Sequence, residues 1–155
     1  MKPKHIFILF IVFLSVFSCR QNEVFFQYKN VASKGWGKDS LLNFDIRITD
    51  TVNPYNVYVH VRHHGDYPYQ NIWLFTQQIN PDSTLKRDTI EAYLADQYGK
   101  WLGTGVGALK EMPIFYRQQI HFPDTGIYRL KIGHGMRDSL LRGIKDIGVR
   151  IELVQ

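Results

Sequence analysis

Three stretches of strict two-residue alternation constrain this chain more than any other feature. Leu42, Phe44, Ile46 and Ile48 alternate with Asn43, Asp45 and Arg47. Val57, Val59 and Val61 alternate with Tyr58, His60 and Arg62, and Ile147, Val149, Ile151 and Leu153 with Gly148, Arg150 and Glu152. Successive side chains of a strand point to opposite faces, so each run describes a strand with one face on a core and the other towards water. Val24 to Tyr28, Ile72 to Ile79, Ile114 to Phe122 and Ile127 to Ile132 add runs rich in β-branched and aromatic residues.

Turn signals separate these runs: Lys34-Gly35-Trp36-Gly37, Asn53-Pro54, His64-Gly65-Asp66, Asn80-Pro81-Asp82 and Pro123-Asp124-Thr125-Gly126. Short strands at this spacing, with no βαβ rhythm, predict an all-β fold: an antiparallel β-sandwich of about eight strands, jelly-roll or immunoglobulin-like. The local pattern leaves sandwich and open barrel undistinguished. Asp88 to Gln97 fits either a capped helix through Ile90, Tyr93, Leu94 and Gln97 or a strand through Ile90, Ala92 and Leu94; its strand neighbours favour the strand. Arg137 to Gly143 reads as one short helical turn, with Leu140 and Leu141 inward and Gly143 ending it.

The N-terminus has a different character. A basic start, Met1 to His5, precedes an apolar run from Ile6 to Phe17 broken only by Ser15. A membrane-spanning helix needs about 20 residues, whereas a basic start, a short apolar stretch and a small residue at the cut describe a secretory signal. Val16-Phe17-Ser18-Cys19 resembles a bacterial lipobox, with an aliphatic residue three before the Cys and a small one directly before it. The expected organisation is a lipoprotein signal peptide at 1–18, a lipidated tether at 19–23 and a single domain at 24–155. Cys19 then carries diacylglycerol on its sulfur and an acyl chain such as palmitate on its amine. At about 0.8 kcal/mol per buried CH₂, three chains anchor a small domain where one does not. Arg20 at the second position of the mature chain resembles the bacterial signal for the outer membrane.

Cys19 is the only cysteine, which excludes an internal disulfide and any Cys-rich zinc or iron–sulfur site. The formal charge of +5 includes Lys2 and Lys4, so the mature chain carries about +3. With its basic residues scattered, it lacks the electrostatic footprint of a nucleic-acid binder.

Candidate reaction centres are weak. His60, His63, His64 and Asp66 have the chemistry of a metal-ligand set, but in a strand His60 shares a face with the cationic Arg62; the segment reads as a polar strand edge running into a solvated turn. Gly103-Thr104-Gly105-Val106-Gly107 lacks the following Lys-Ser/Thr and helix of a phosphate loop, and reads as glycines needed for positive φ or close backbone approach beside Trp101. Acid pairs such as Asp45 with Asp50 read as solvated outer-face residues. With no Gly-x-Ser-x-Gly elbow and no His-Glu-x-x-His motif, neither enzyme activity nor a cofactor or metal is expected. Aromatic residues near turns offer more. Trp36, Trp73 and Trp101, with Tyr67 and Tyr69 nearby, are candidate partner or sugar contacts, set against the commoner fate of tryptophan in packing.

Several blocks in chain order carry a family resemblance. They are Asp39-Ser40-Leu41-Leu42-Asn43-Phe44, Asp88-Thr89-Ile90, Gly99-Lys100-Trp101-Leu102-Gly103-Thr104-Gly105-Val106-Gly107, Gly126 to Ile132, Gly135-Met136-Arg137, and Gly143-Ile144-Lys145-Asp146-Ile147-Gly148-Val149-Arg150-Ile151-Glu152. Together they resemble the gliding motility lipoprotein GldH family of Bacteroidetes over nearly all of the mature chain. With Arg20 as the sorting signal and Cys19 as the lipid-bearing residue, the expected location is the outer membrane, lipid-anchored and periplasm-facing; the resemblance implies an envelope lipoprotein needed for gliding. It also implies protein partners in the gliding machinery associated with type IX secretion, and no catalytic mechanism. Cys19 is the one residue to which it assigns a chemical role.

Overall fold

The computed structural model describes residues 22–154. The expected signal peptide, Cys19 and residues 20–21 of the tether lie outside the described residues. Ten strands follow in order: β1 (Glu23–Asn30), β2 (Trp36–Gly37), β3 (Leu42–Ile48), β4 (Tyr55–His64), β5 (Asn71–Ile79), β6 (Leu85–Tyr93), β7 (Leu109–Ile120), β8 (Gly126–His134), β9 (Leu140–Leu141) and β10 (Ile144–Leu153). The alternating runs land as read. Phe44, Ile46 and Ile48 of β3, Val57, Val59 and Val61 of β4, and Ile147, Val149 and Ile151 of β10 all face one buried core. Asp88 to Gln97 begins as a strand, with Ile90 and Ala92 of β6 facing the core and Leu94 buried just beyond it.

Two four-stranded antiparallel sheets enclose that core, in the orders β1-β10-β4-β7 and β3-β8-β5-β6, with β2 and β9 as a small separate pair. The pairing is nested. β5 pairs with β6, β4 with β7, β3 with β8 and β1 with β10, as in one long antiparallel ribbon, and the contacts β10 with β4 and β8 with β5 roll that ribbon into two facing sheets. This is a jelly-roll sandwich, one of the two arrangements expected. Pro113 interrupts no ladder because β7 is an edge strand, where the missing N–H faces outwards.

The expected helical turn at Arg137 to Gly143 is absent; the segment contains β9 instead. Leu141 pairs with Trp36 and is fully buried, and Lys38 N–H donates to the Ser139 carbonyl at 3.0 Å. Extended pairing to β2 satisfies backbone groups that a single isolated turn leaves open.

The sandwich has two unlike poles. The N-terminal end of β1 lies where β10 ends and β4 begins, since Glu23 pairs with Glu152 and Leu153 with Tyr55. That pole carries the compact connections 49–54, 80–84 and 121–125. The opposite pole gathers 31–41, 65–70, the long segment 94–108 and 135–143. Eight residues of β1 separate the two by about 26 Å at a strand's rise.

Candidate functional site

The outer face of the β1-β10-β4-β7 sheet holds a cluster of polar and aromatic side chains. Tyr28 of β1 pairs with Gly148, Gly148 with His60, and Arg62 with Glu111, so four strands contribute neighbouring positions. Gly148 sets the geometry. A Cβ there would sit 2.6 Å from the Tyr28 ring, so only glycine lets that ring lie across β10 and reach β4 and β7. The Tyr28 hydroxyl donates to Glu111 Oε1 at 2.7 Å, and His60 Nδ1–H donates to the same oxygen at 2.7 Å. Arg62 stacks 4.0 Å from the Tyr28 ring centroid and forks onto Asp146, with Nε and Nη2 donating at 2.6 and 2.5 Å.

The glycine run positions Glu111. Thr104 and Glu111 exchange backbone hydrogen bonds of 3.0 and 2.7 Å, and a Cβ on Gly103 or Gly105 would meet the Glu111 or Leu109 carbonyl oxygen at 2.6 or 2.2 Å. The glycines therefore permit close backbone approach, against β7 as well as beside Trp101.

Chemically, this cluster is a clasp. Burial is the largest influence on Glu111 and favours its neutral form, but hydrogen bonds from Tyr28 and His60 outweigh it and hold the carboxyl below its usual range. Burial and the bond to Glu111 push the Tyr28 phenol well above its ordinary value. Burial pushes His60 down despite the carboxylate, and its Nε2 is enclosed without a partner among the described residues. Tyrosine, histidine and glutamate thus hold one another, with the Glu111 side chain 36% exposed beside the buried imidazole.

The expected solvated edge at His60 to Asp66 is corrected. β4 lies inside its sheet between β10 and β7 and runs to His64; His60 and His63 are 5% and 0% exposed. The two rings sit on opposite faces of the strand, His63 inward against Trp101 and Tyr67 at centroid distances of 4.5 and 5.7 Å. Of His60, His63, His64 and Asp66, the last two reach solvent. Asp45 and Asp50 act separately, Asp45 accepting from Arg129 Nε at 2.8 Å and Asp50 capping its own turn through Val52 and Asn53.

The three tryptophans are dispersed. Trp36 is 2% exposed, its Nε1–H donating to the Ser40 carbonyl at 2.9 Å. Trp101 packs on the core margin over His63. Trp73 alone opens to solvent, at 39% exposure, and with Phe75, Tyr69 and Met136 it lines a cleft of about 600 Å³ on the other sheet, rimmed by Asn71, Thr89 and Arg137. A second cleft, of about 580 Å³, lies at the long-loop pole among Lys34, His64, Asp66, Arg142 and Lys145. Sequence reasoning missed Tyr28, Glu111 and this basic cleft. Gly148, a position without a side chain on the outer face of the alternating run of β10, was the one visible sign of the clasp.

The family model for the GldH lipoprotein matches residues 23–151. The chain belongs to this family. It is 34% identical to a gliding motility lipoprotein GldH homolog of Christiangramia forsetii over 95% of this chain and 93% of that protein. Identity is also 34% to the gliding motility lipoprotein GldH of Flavobacterium johnsoniae, over 98% of both chains. Among solved structures, dimeric latent PorU from Porphyromonas gingivalis aligns at a TM-score of 0.36 and 8% identity, over 88% of this chain and 13% of that one. GldH membership implies a membrane-anchored place in the cell envelope. Among the described residues no helix is long and apolar enough to cross a membrane.

Proposed function

We propose that this protein is an outer-membrane lipoprotein whose sandwich faces the periplasm and acts, without catalysis, as a component or stabiliser of the gliding machinery associated with type IX secretion. Near full-length membership of a lipoprotein family named for gliding motility carries the reading. The architecture supports it. The domain begins with Glu23 at the compact pole, so a lipid on Cys19, four residues earlier, places that pole towards the bilayer and the long loops away from it. Attachment confines the domain to two dimensions and raises its effective concentration at membrane-bound partners. Replacing Cys19 by alanine is expected to leave the sandwich folded but release it to the soluble periplasmic fraction, and to fail to restore spreading to a strain lacking the gene. Full retention of that variant in the membrane pellet contradicts the anchor; unimpaired spreading contradicts its role.

The Trp73 cleft supports a second reading, a carbohydrate-binding module in which the indole stacks on a sugar face and Asn71, Thr89 and Arg137 supply polar contacts. Saccharide addition is then expected to shift tryptophan fluorescence in the native chain and not in Trp73→Ala. A glycan array without a single binder removes this reading.

A further inference from the structure

The second cleft combines a built shape with uncompensated charge. Val31 N–H donates to the Lys145 carbonyl at 3.1 Å, Gly35 N–H to Ala32 at 2.9 Å and His64 N–H to Gly143 at 2.8 Å, so three separate segments are tied together around it. Gly143, at φ +84°, closes the wall: a Cβ there would lie 2.7 Å from Tyr67 Cα. Into this frame the chain brings Lys34, Arg142 and Lys145, all exposed. None is ion-paired among the described residues, whereas Arg62, Arg117, Arg129 and Arg150 each meet a carboxylate. Asp66 is the single acid in the lining. Like charges held in one concavity repel one another and raise the local concentration of anions.

We infer that this cleft is the docking site for an acidic, carboxylate-bearing peptide segment of a partner protein. Charge complementarity sets the chemistry. Position selects a protein over the lipoprotein's own membrane, a step that rests on the proposed anchor at Cys19: the cleft lies at the pole about 26 Å from the start of β1, where headgroups of that bilayer do not reach. Carboxylates entering the cleft meet three cations without displacing an existing ion pair.

The test uses the full chain in neutral detergent micelles at physiological salt, with fluorescein-labelled octaglutamate read by anisotropy. Binding is expected, weakened about 10-fold in Lys34→Ala/Arg142→Ala/Lys145→Ala, and less than about 2-fold in Lys86→Ala/Arg87→Ala on the remote β6. Asp66→Asn, which removes the opposing charge, is expected to tighten binding about 2-fold or more, and reads the same site without removing a cation. Equal losses in the two alanine variants, no effect at Asp66, or no binding at all overturn the proposal. So does stronger binding of oligogalacturonate or inorganic phosphate than of octaglutamate, which assigns the cleft to a polysaccharide or a small anion. These outcomes are independent of spreading and fractionation, so failure here is distinct from failure of the gliding role.

Discussion

Replacing Arg62 by alanine is expected to cost the domain about 3–5 kcal/mol, enough to leave it marginal or unfolded. The reason lies in its partner. Asp146 is completely buried and accepts both of the short guanidinium bonds, at 2.6 and 2.5 Å. Removing the cation leaves a buried carboxylate with its charge uncompensated, which is far more costly than losing a surface ion pair. The loss extends beyond the pair, because the same guanidinium stacks on Tyr28, whose hydroxyl reaches Glu111. β1, β10, β4 and β7 are thereby fastened across their outer face. Asp146→Asn is expected to cost less, about 1–3 kcal/mol, since a neutral amide still accepts a hydrogen bond and the part-exposed Arg62 retains water. The combined Arg62→Met/Asp146→Leu variant is expected to recover much of the loss by replacing the pair with apolar contacts. Urea midpoints at unchanged m-value measure all three. An Arg62→Ala loss under about 1 kcal/mol would show that the bidentate pair carries little.

The elements legible in the sequence are those whose determinants are local. β3, β4 and β10 announce themselves because Phe44, Val59 and Val149 recur at every second position, a signal independent of where the partner strand lies. Asp88 to Gln97 was harder, since Ile90 and Leu94 suit a helix stripe equally well; Ala92 between them, facing the same core, is the strand's mark. Leu140 and Leu141 misled for the same reason. An adjacent apolar pair is compatible with a helical turn, and what decides for a strand is Trp36, remote in sequence and paired to Leu141. Strand order decides the rest. His60 and His63 look like surface residues by chemistry, but the nested ribbon sets β4 between β10 and β7 and under Tyr28 on one face and Trp101 on the other. The basic cleft was invisible for a related reason, as Lys34 and Lys145 meet only because β1 and β10 are first and last in the ribbon.

Acidification from pH 7.5 to 5 is expected to lower the thermal midpoint by at least about 5 °C, well before the carboxylates titrate in bulk. Three imidazoles are responsible. His60, His63 and His134 are 5%, 0% and 1% exposed. In each, one ring N–H has an oxygen to receive it: Glu111 for His60, the His64 carbonyl at 2.9 Å for His63, and the Trp36 carbonyl at 3.1 Å for His134. The second ring nitrogen of each is enclosed with no partner among the described residues. Protonation therefore adds both a buried charge and a buried N–H with no acceptor, and burial is the leading cause that holds all three below the ordinary histidine value, against the opposing pull of those same oxygens. The sign follows from linkage. Below about pH 6.5 the unfolded chain binds protons that the folded chain refuses, so stability is fully present above that pH and drains away as pH falls towards the depressed folded values. Glu111 does not supply the slope, because its carboxyl is held below the usual range and stays ionised through this window. His63→Leu separates the effect from simple repacking. It removes the bond to the His64 carbonyl and the contact with Trp101, and so lowers the midpoint at pH 7.5, yet it removes one proton-binding difference and flattens the dependence on pH; adding His134→Leu flattens it further. A wild-type midpoint that holds level between pH 7.5 and 5, or a slope unchanged by both substitutions, would mean that these rings accept protons in the folded state as readily as in the unfolded chain.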